Sequence, residues 1–220
     1  MTRIVYINPN ATQAMTDDIV ATARAVLPGA EVVGLTNSAG PPAIEGPEDG
    51  DAAIPGVLAL VRGAAAGADA IVIACFDDTG LDEARAAASC PVLGIGQAAY
   101  VMTALLGLRF SVVTSVDVAV PVIQGNIERS GFAGLCASVR ASGLAVLDIE
   151  AGSEAVRARL ASEIALARDG DGAAAVVLGC AGMTGLRDDL AARTGVVLID
   201  GVVASARLSV AAAGLAGGGA

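Results

Sequence analysis

With 220 residues the chain can bury a substantial core, as one large or two small domains. Its 55% apolar content and 28 glycines suit buried parallel strands and tight turns, while 2% aromatics and a formal charge of −10 argue against nucleic acid and anionic membranes as partners. The lack of histidine removes His-bearing zinc sites, Cys–His and Ser–His pairs and imidazole acid–base chemistry; four cysteines without a CxxC pair read as neither disulfide framework nor metal site.

No basic-then-apolar export segment opens the chain, and no uncharged apolar run reaches membrane-spanning length, since Arg207 breaks the Ala-rich C-terminal stretch. The expected location is the cytoplasm. Residues 3–7 read as a buried strand ending at Asn8-Pro9-Asn10. Thr12 or Thr16 can cap the helix that follows, with Ile19, Ala23, Val26 and Leu27 as its apolar stripe. Residues 31–35 form a second strand, and 36–51 a long loop rich in glycine, proline and acidic residues, a kind of connection that is often functional. A helix over 54–67, a strand over 69–74 reaching Cys75, a helix over 80–88 and a strand over 91–95 complete the first half.

A helix from about 97 to 106 crosses into the second half, where the pattern predicts a strand at 109–114, a helix at 117–130 and a weak strand at 135–140. Residues 143–149 either continue or replace that strand. Ser153 caps a helix running to Arg168, with Glu154 and Glu163 outward. A strand at 174–179 reaches Cys180, followed by a helix (184–193), a strand (196–199), a last helix (201–214) and a frayed tail over 215–220.

The chain contains one stretch twice. Residues 69–81 and 174–186 each run through β-branched residues into Cys-x-x-x-Thr-Gly-Leu, placing Cys75 and Cys180 105 residues apart. Residues 91–96 lie over 196–201 at the same offset, and 3–8 over 109–114 at 106. The pattern therefore predicts an α/β fold of two pseudosymmetric Rossmann-like lobes with mostly parallel sheets. The first lobe spans 1–95, completed by the C-terminal helix, and the second spans 96–200. Ligands of such sheets sit at the carboxyl ends of the strands, where Asn8, Asn10, Cys75, Thr114, Ser115 and Cys180 converge on an interlobe cleft.

Cys90 and Cys136 read as core residues. At Cys75 and Cys180, amide N–H groups at the following helix are expected to lower the thiol pKa. Two such thiols on opposite faces of a planar carbanion suit inversion beside a carbonyl, one as base and the other as acid. The amides of Phe76, Asp77, Ala181 and Gly182 can stabilise the developing oxyanion. Thr79 and Thr184 either orient the thiols or cap the next helix. Asp77 and Asp78 have no counterpart in the repeat, where Gly182 and Met183 stand, and are read as supporting groups beside the helix N-terminus. Gly94-x-Gly96-x-x-Ala99 with Asp117 matches a dinucleotide fingerprint in form only, because the first strand–helix turn holds Asn-Pro-Asn instead.

These residues carry a resemblance: Ile7-Asn8-Pro9-Asn10, the loop Gly40 to Gly46, Ala74 to Leu81, Gly94 to Ala99, Arg109 to Thr114, and Leu178 to Met183. Over about 1–210 the chain resembles the hydantoin and allantoin racemase branch of the aspartate/glutamate racemase superfamily. The resemblance implies a racemase acting at C5 of five-membered cyclic ureides, without cofactor or metal, with Cys75 and Cys180 catalytic. It also implies that Asn10, Asn8, Ile44, Thr79, Thr114 and Ser115 surround the ring. Ala43 stands where relatives often carry Ser, and Gln97 where Glu is common. Amino-acid racemases of the superfamily carry an Asp-Ser turn and a His where this chain has Asn-Pro and Ala. Decarboxylase relatives lack the first cysteine, which argues against that activity here.

The expected function is therefore inversion of C5 in 5-substituted hydantoins, allantoin among them, by a two-cysteine proton transfer in a homo-oligomer. Competing readings are a maleate isomerase-like enzyme, a non-catalytic binder of a cyclic amide, and a nucleotide-dependent oxidoreductase.

Overall fold

The computed structural model describes residues 1–217. The first half holds β1 (Arg3–Asn8), α1 (Gln13–Val26), β2 (Glu31–Thr36), α2 (Pro47–Ala64), β3 (Ala70–Ile73), α3 (Leu81–Ala87) and β4 (Val92–Gly94). After α4 (Ile95–Leu105) come β5 (Phe110–Thr114), α5 (Val120–Arg129), β6 (Cys136–Ala141), α6 (Val146–Ala151), α7 (Glu154–Asp169), β7 (Ala175–Gly179), α8 (Arg187–Thr194), β8 (Val197–Asp200) and α9 (Gly201–Gly217). Two four-stranded sheets result, ordered β2-β1-β3-β4 and β6-β5-β7-β8, with every pairing parallel. The same order in both follows the internal repeat.

Strands with apolar residues at both odd and even positions are buried on both faces, as crossover helices require. Ile4 and Tyr6 of β1, Val72 of β3, Phe110 and Val112 of β5 and Val177 of β7 face a central core closed by α1, α4, α5 and α9. Alternate residues, such as Val5, Ile7, Ile71 and Ile73, face a core under α2 and α3. Their counterparts Val113, Val176 and Leu178 face one under α6, α7 and α8. The Tyr6 hydroxyl reaches Ser205 Oγ at 3.1 Å and so pins α9 to the middle of the first sheet. That pin carries the last helix back to the first lobe.

Several boundaries differ from the sequence reading, each for a local reason. Helix α2 begins at Pro47, not at 54, because proline suits the first helical position and Glu48 and Asp49 suit the N-terminal turn; Pro55 is accommodated inside it. Residues 143–149 leave β6 and enter α6. The stretch after Cys180 is a 3₁₀ turn over Ala181–Leu186 before α8 begins. Ser153 does cap α7, accepting from the Val156 amide at 3.3 Å. Glu163, expected outward, is only 5% exposed: Arg140 of β6 and Arg159 each bind it at 2.9 Å, and those two cations make its burial tolerable. Residues 215–217 extend α9, and the remainder of the expected tail lies outside the described residues.

Candidate active site

Cys75 follows β3, and Cys180 follows β7, the strand in the equivalent place of the other sheet. The adjacent central strands β1 and β5 end at Asn8 and Thr114. Four strand ends thus converge, and a cavity of about 30 Å³ lies between the lobes. Both cysteines line it, together with Asn10, Ile44, Phe76, Asp77, Thr114, Ser115, Ala181 and Gly182. Met15, Ala74, Val146 and Gly179 complete its wall.

Two expected ring neighbours stand elsewhere. Asn8 is buried behind the wall: its amide donates to Asn10 Oδ1 at 2.9 Å and Thr16 Oγ1 at 3.0 Å. Its own Oδ1 accepts from the Asn10 amide at 3.1 Å, so it shapes the turn that presents Asn10. Thr79 lies beyond the thiol, lining a separate, larger cleft. Its hydroxyl still favours the Cys75 thiolate, though it is buried without a well-formed hydrogen bond. Thr114 lines the cavity with its hydroxyl committed to the Gly179 carbonyl at 2.9 Å, which ties β5 to the strand end before Cys180.

Sequence reasoning missed Met15 and Val146. Met15 takes part in the apolar stripe of α1, a signal that was present. Val146 begins the short helix whose existence the pattern left open, and its amide donates to Glu45 Oε1 at 2.6 Å across the lobes. Asn37, also missed, fastens the long loop by donating to the Pro9 and Ala53 carbonyls at 2.9 and 3.1 Å.

The thiols are not depressed, contrary to the sequence expectation. Burial is the largest influence on each, pushing Cys180 up to about 12 and Cys75 further. The backbone amides of Asp77 and Gly182 do favour the two thiolates, as the strand-end geometry requires, but desolvation outweighs them. Asp77 adds negative field at both sulfurs. Burial thus biases both thiols toward the neutral form.

Asp78 has a structural role that explains the glycine-rich stretch. It adopts a left-handed backbone (φ 51°), and its carboxylate accepts from the Gly96 and Gln97 amides at 2.9 and 2.8 Å. A Cβ at Gly94 would lie 2.0 Å from Asp78 Oδ1, so glycine there lets the carboxylate approach. The N–H groups that a nucleotide phosphate would use are thereby occupied, which removes the basis of the fingerprint. In the second half Asp200 does the corresponding work, accepting from Val202 and Val203 at the start of α9 at 2.7 and 3.0 Å.

Two pseudosymmetric parallel-sheet lobes, each bringing a cysteine from a strand end to one shared cavity, are the architecture of a racemase-type isomerase. The chain belongs to the Asp/Glu/Hydantoin racemase family, whose model matches residues 4–209. A hydantoin racemase from Rhizobium meliloti is 43% identical over 213 residues, covering 96% of this chain and 88% of that protein. The structure of an allantoin racemase from Klebsiella pneumoniae superposes with a TM-score of 0.92 at 39% identity, covering 98% of this chain and 89% of the other. An allantoin racemase from Pseudomonas fluorescens gives 0.93 at 36% identity, with coverages of 97% and 92%. No helix among the described residues is long and apolar enough to cross a membrane.

Proposed function

We propose that the protein racemises 5-substituted hydantoins by moving the C5 proton between Cys75 and Cys180. The observation that carries this reading is the pair of strand-end thiols lining one interlobe cavity. One thiolate removes the C5 proton from its face of the ring while the opposite thiol delivers a proton to the other face; the roles reverse for the other enantiomer. Negative charge develops on the ring carbonyl beside C5. The amides following each cysteine are suited to meet it, since those of Asp77 and Gly182 already favour a negative sulfur.

Asn10 and Ser115 are the polar groups suited to bind ring amides, and Met15, Ile44, Phe76 and Val146 are suited to keep water from the carbanion. The reading also draws on the hydantoin and allantoin racemases that the chain is similar to across nearly its whole length. Incubating an enantiopure hydantoin with the reduced enzyme and no added cofactor tests it. The optical signal should decay to zero, with the compound intact. A constant signal with folded protein contradicts the assignment.

A further inference from the structure

The turns that follow the two cysteines are built alike. The Asp78 amide donates to the Cys75 carbonyl at 3.0 Å, and the Met183 amide donates to the Cys180 carbonyl at 3.0 Å. What holds each turn in place differs. Among the described residues, Asp78 is the one non-glycine residue with a positive φ (51°), in the left-handed region that side chains rarely adopt. Such a conformation persists where its surroundings impose it. From the first lobe, the Asp78 carboxylate is tied to the Gly96 and Gln97 amides. From the second lobe, Asn126 of α5 reaches across, and its Nδ2 donates to the Asp77 carbonyl at 2.8 Å.

The peptide that joins Asp77 to Asp78 is thereby anchored through both of its polar groups, its carbonyl to Asn126 and its N–H to Cys75. A peptide unit is planar, so two anchors on its opposite edges fix its orientation. The Asp77 amide lies inside the same turn and favours the Cys75 thiolate. Asn126 is itself held firmly. It is 8% exposed, stands beside buried Ile123 and Ile127 on α5, and its Oδ1 accepts from the Arg129 guanidinium. That contact leaves Nδ2 as the end of the side-chain amide that faces Asp77. The turn after Cys180 has no equivalent: among the described residues, no side chain donates to a backbone carbonyl of residues 180–186. It is covered instead by α1 and α6, with Gly182 against Glu150.

We infer that Asn126 is a positioning residue for Cys75: acting from the second lobe through the Asp77 carbonyl, it sets the turn whose amide faces the Cys75 sulfur. The inference rests on the two-thiol reading above. Asn126 touches neither sulfur and acts only through the backbone. Without its donor the Asp77–Asp78 peptide is free to turn, and the Asp77 amide moves off the sulfur. Cys180 keeps the Gly182 amide, so the loss falls on one thiol of the two.

The test uses Asn126→Leu, which is close in size and removes the donor without adding charge, and Asn126→Ala as a second variant. Arg129 is exposed and can be solvated in both; thermal melts establish that each folds. The first readout is racemisation of an enantiopure hydantoin that the wild-type enzyme turns over. In both variants kcat should fall about tenfold, the worth of a hydrogen bond to a charged group, while KM stays within about twofold. The second readout is alkylation by iodoacetamide at pH 8, resolved for each cysteine by peptide mass spectrometry. The rate at Cys75 should fall about tenfold relative to that at Cys180. Unchanged kcat in the folded variants, or a Cys75-to-Cys180 alkylation ratio that does not fall, overturns the assignment of Asn126 and leaves the racemase reading intact. Absence of racemisation by the wild-type enzyme with every hydantoin tried overturns both.

Discussion

At the residue scale, the chemistry turns on how buried groups keep or lose charge. Desolvation favours the neutral form of both thiols, so the base form must be generated against that bias. Because kcat/KM reports ionisations of the free enzyme, it should keep rising as pH increases from about 7 to beyond 9. A pH–rate profile that is flat above neutrality would contradict this. Asp78 supplies a second prediction. Asp78→Ala strips the acceptor from two amides at the start of α4, and Gly94→Ala forces a Cβ into the same carboxylate. Each should destabilise the protein by about 1–3 kcal/mol in urea titration. Little of this was legible beforehand. The sequence marked Cys75 and Cys180 through the repeat, but the sign of their shift depends on burial depth, which no local pattern encodes. Asp78 was noticed as unmatched in the repeat, yet its partners are 18 and 19 residues away.

At the scale of elements, strands were legible because both of their faces are apolar, and helices with long apolar stripes were legible for the analogous reason. What failed was what tertiary partners decide. Glu163 looks like a solvent-facing residue of α7 until Arg140 on β6 and Arg159 are brought to it. Likewise α2 seemed to start beside Pro55, but Asp49 Oδ2 accepts the Glu45 amide at 3.0 Å and secures an earlier start at Pro47. The cap of α7 was readable because its signal is local. Ser153→Ala should cost about 1 kcal/mol, seen as a lower urea midpoint with unchanged slope. An unchanged midpoint would show that water replaces the cap fully.

At the scale of the whole molecule, the repeat dictated two sheets of identical order, and that order sets four strand ends around one cavity. The same burial that makes the cleft also shapes stability. Asp77 and Asp78 are both raised to about 7, and Asp200 and Glu150 are raised too, burial being the main cause in each case. Carboxyl groups whose folded pKa exceeds the unfolded value hold protons that the unfolded chain releases. Their contribution is full below about pH 4 and is lost as pH rises to about 7. Exposed Glu154 and half-buried Asp189 are shifted down by Arg193, and their contribution is lost only on acidification below the ordinary carboxylate range. The melting temperature should therefore be higher near pH 5 than near pH 8, and Asp77→Asn should flatten that slope. A melting temperature that climbs steadily from pH 5 to pH 8 would contradict the assigned burial.

The central claim is that two thiols on opposite sides of one ring carbon divide the proton transfer between them. It is tested most directly with Cys75→Ala and Cys180→Ala, each incubated in D2O with the separate enantiomers of one hydantoin substrate. Each variant should lose racemisation of both enantiomers by about 10²–10⁴-fold. Residual C5 deuteration, where present, should be confined to one enantiomer, and to opposite enantiomers in the two variants. Normal racemisation by both variants, or residual exchange of the same enantiomer in each, would contradict the two-thiol mechanism.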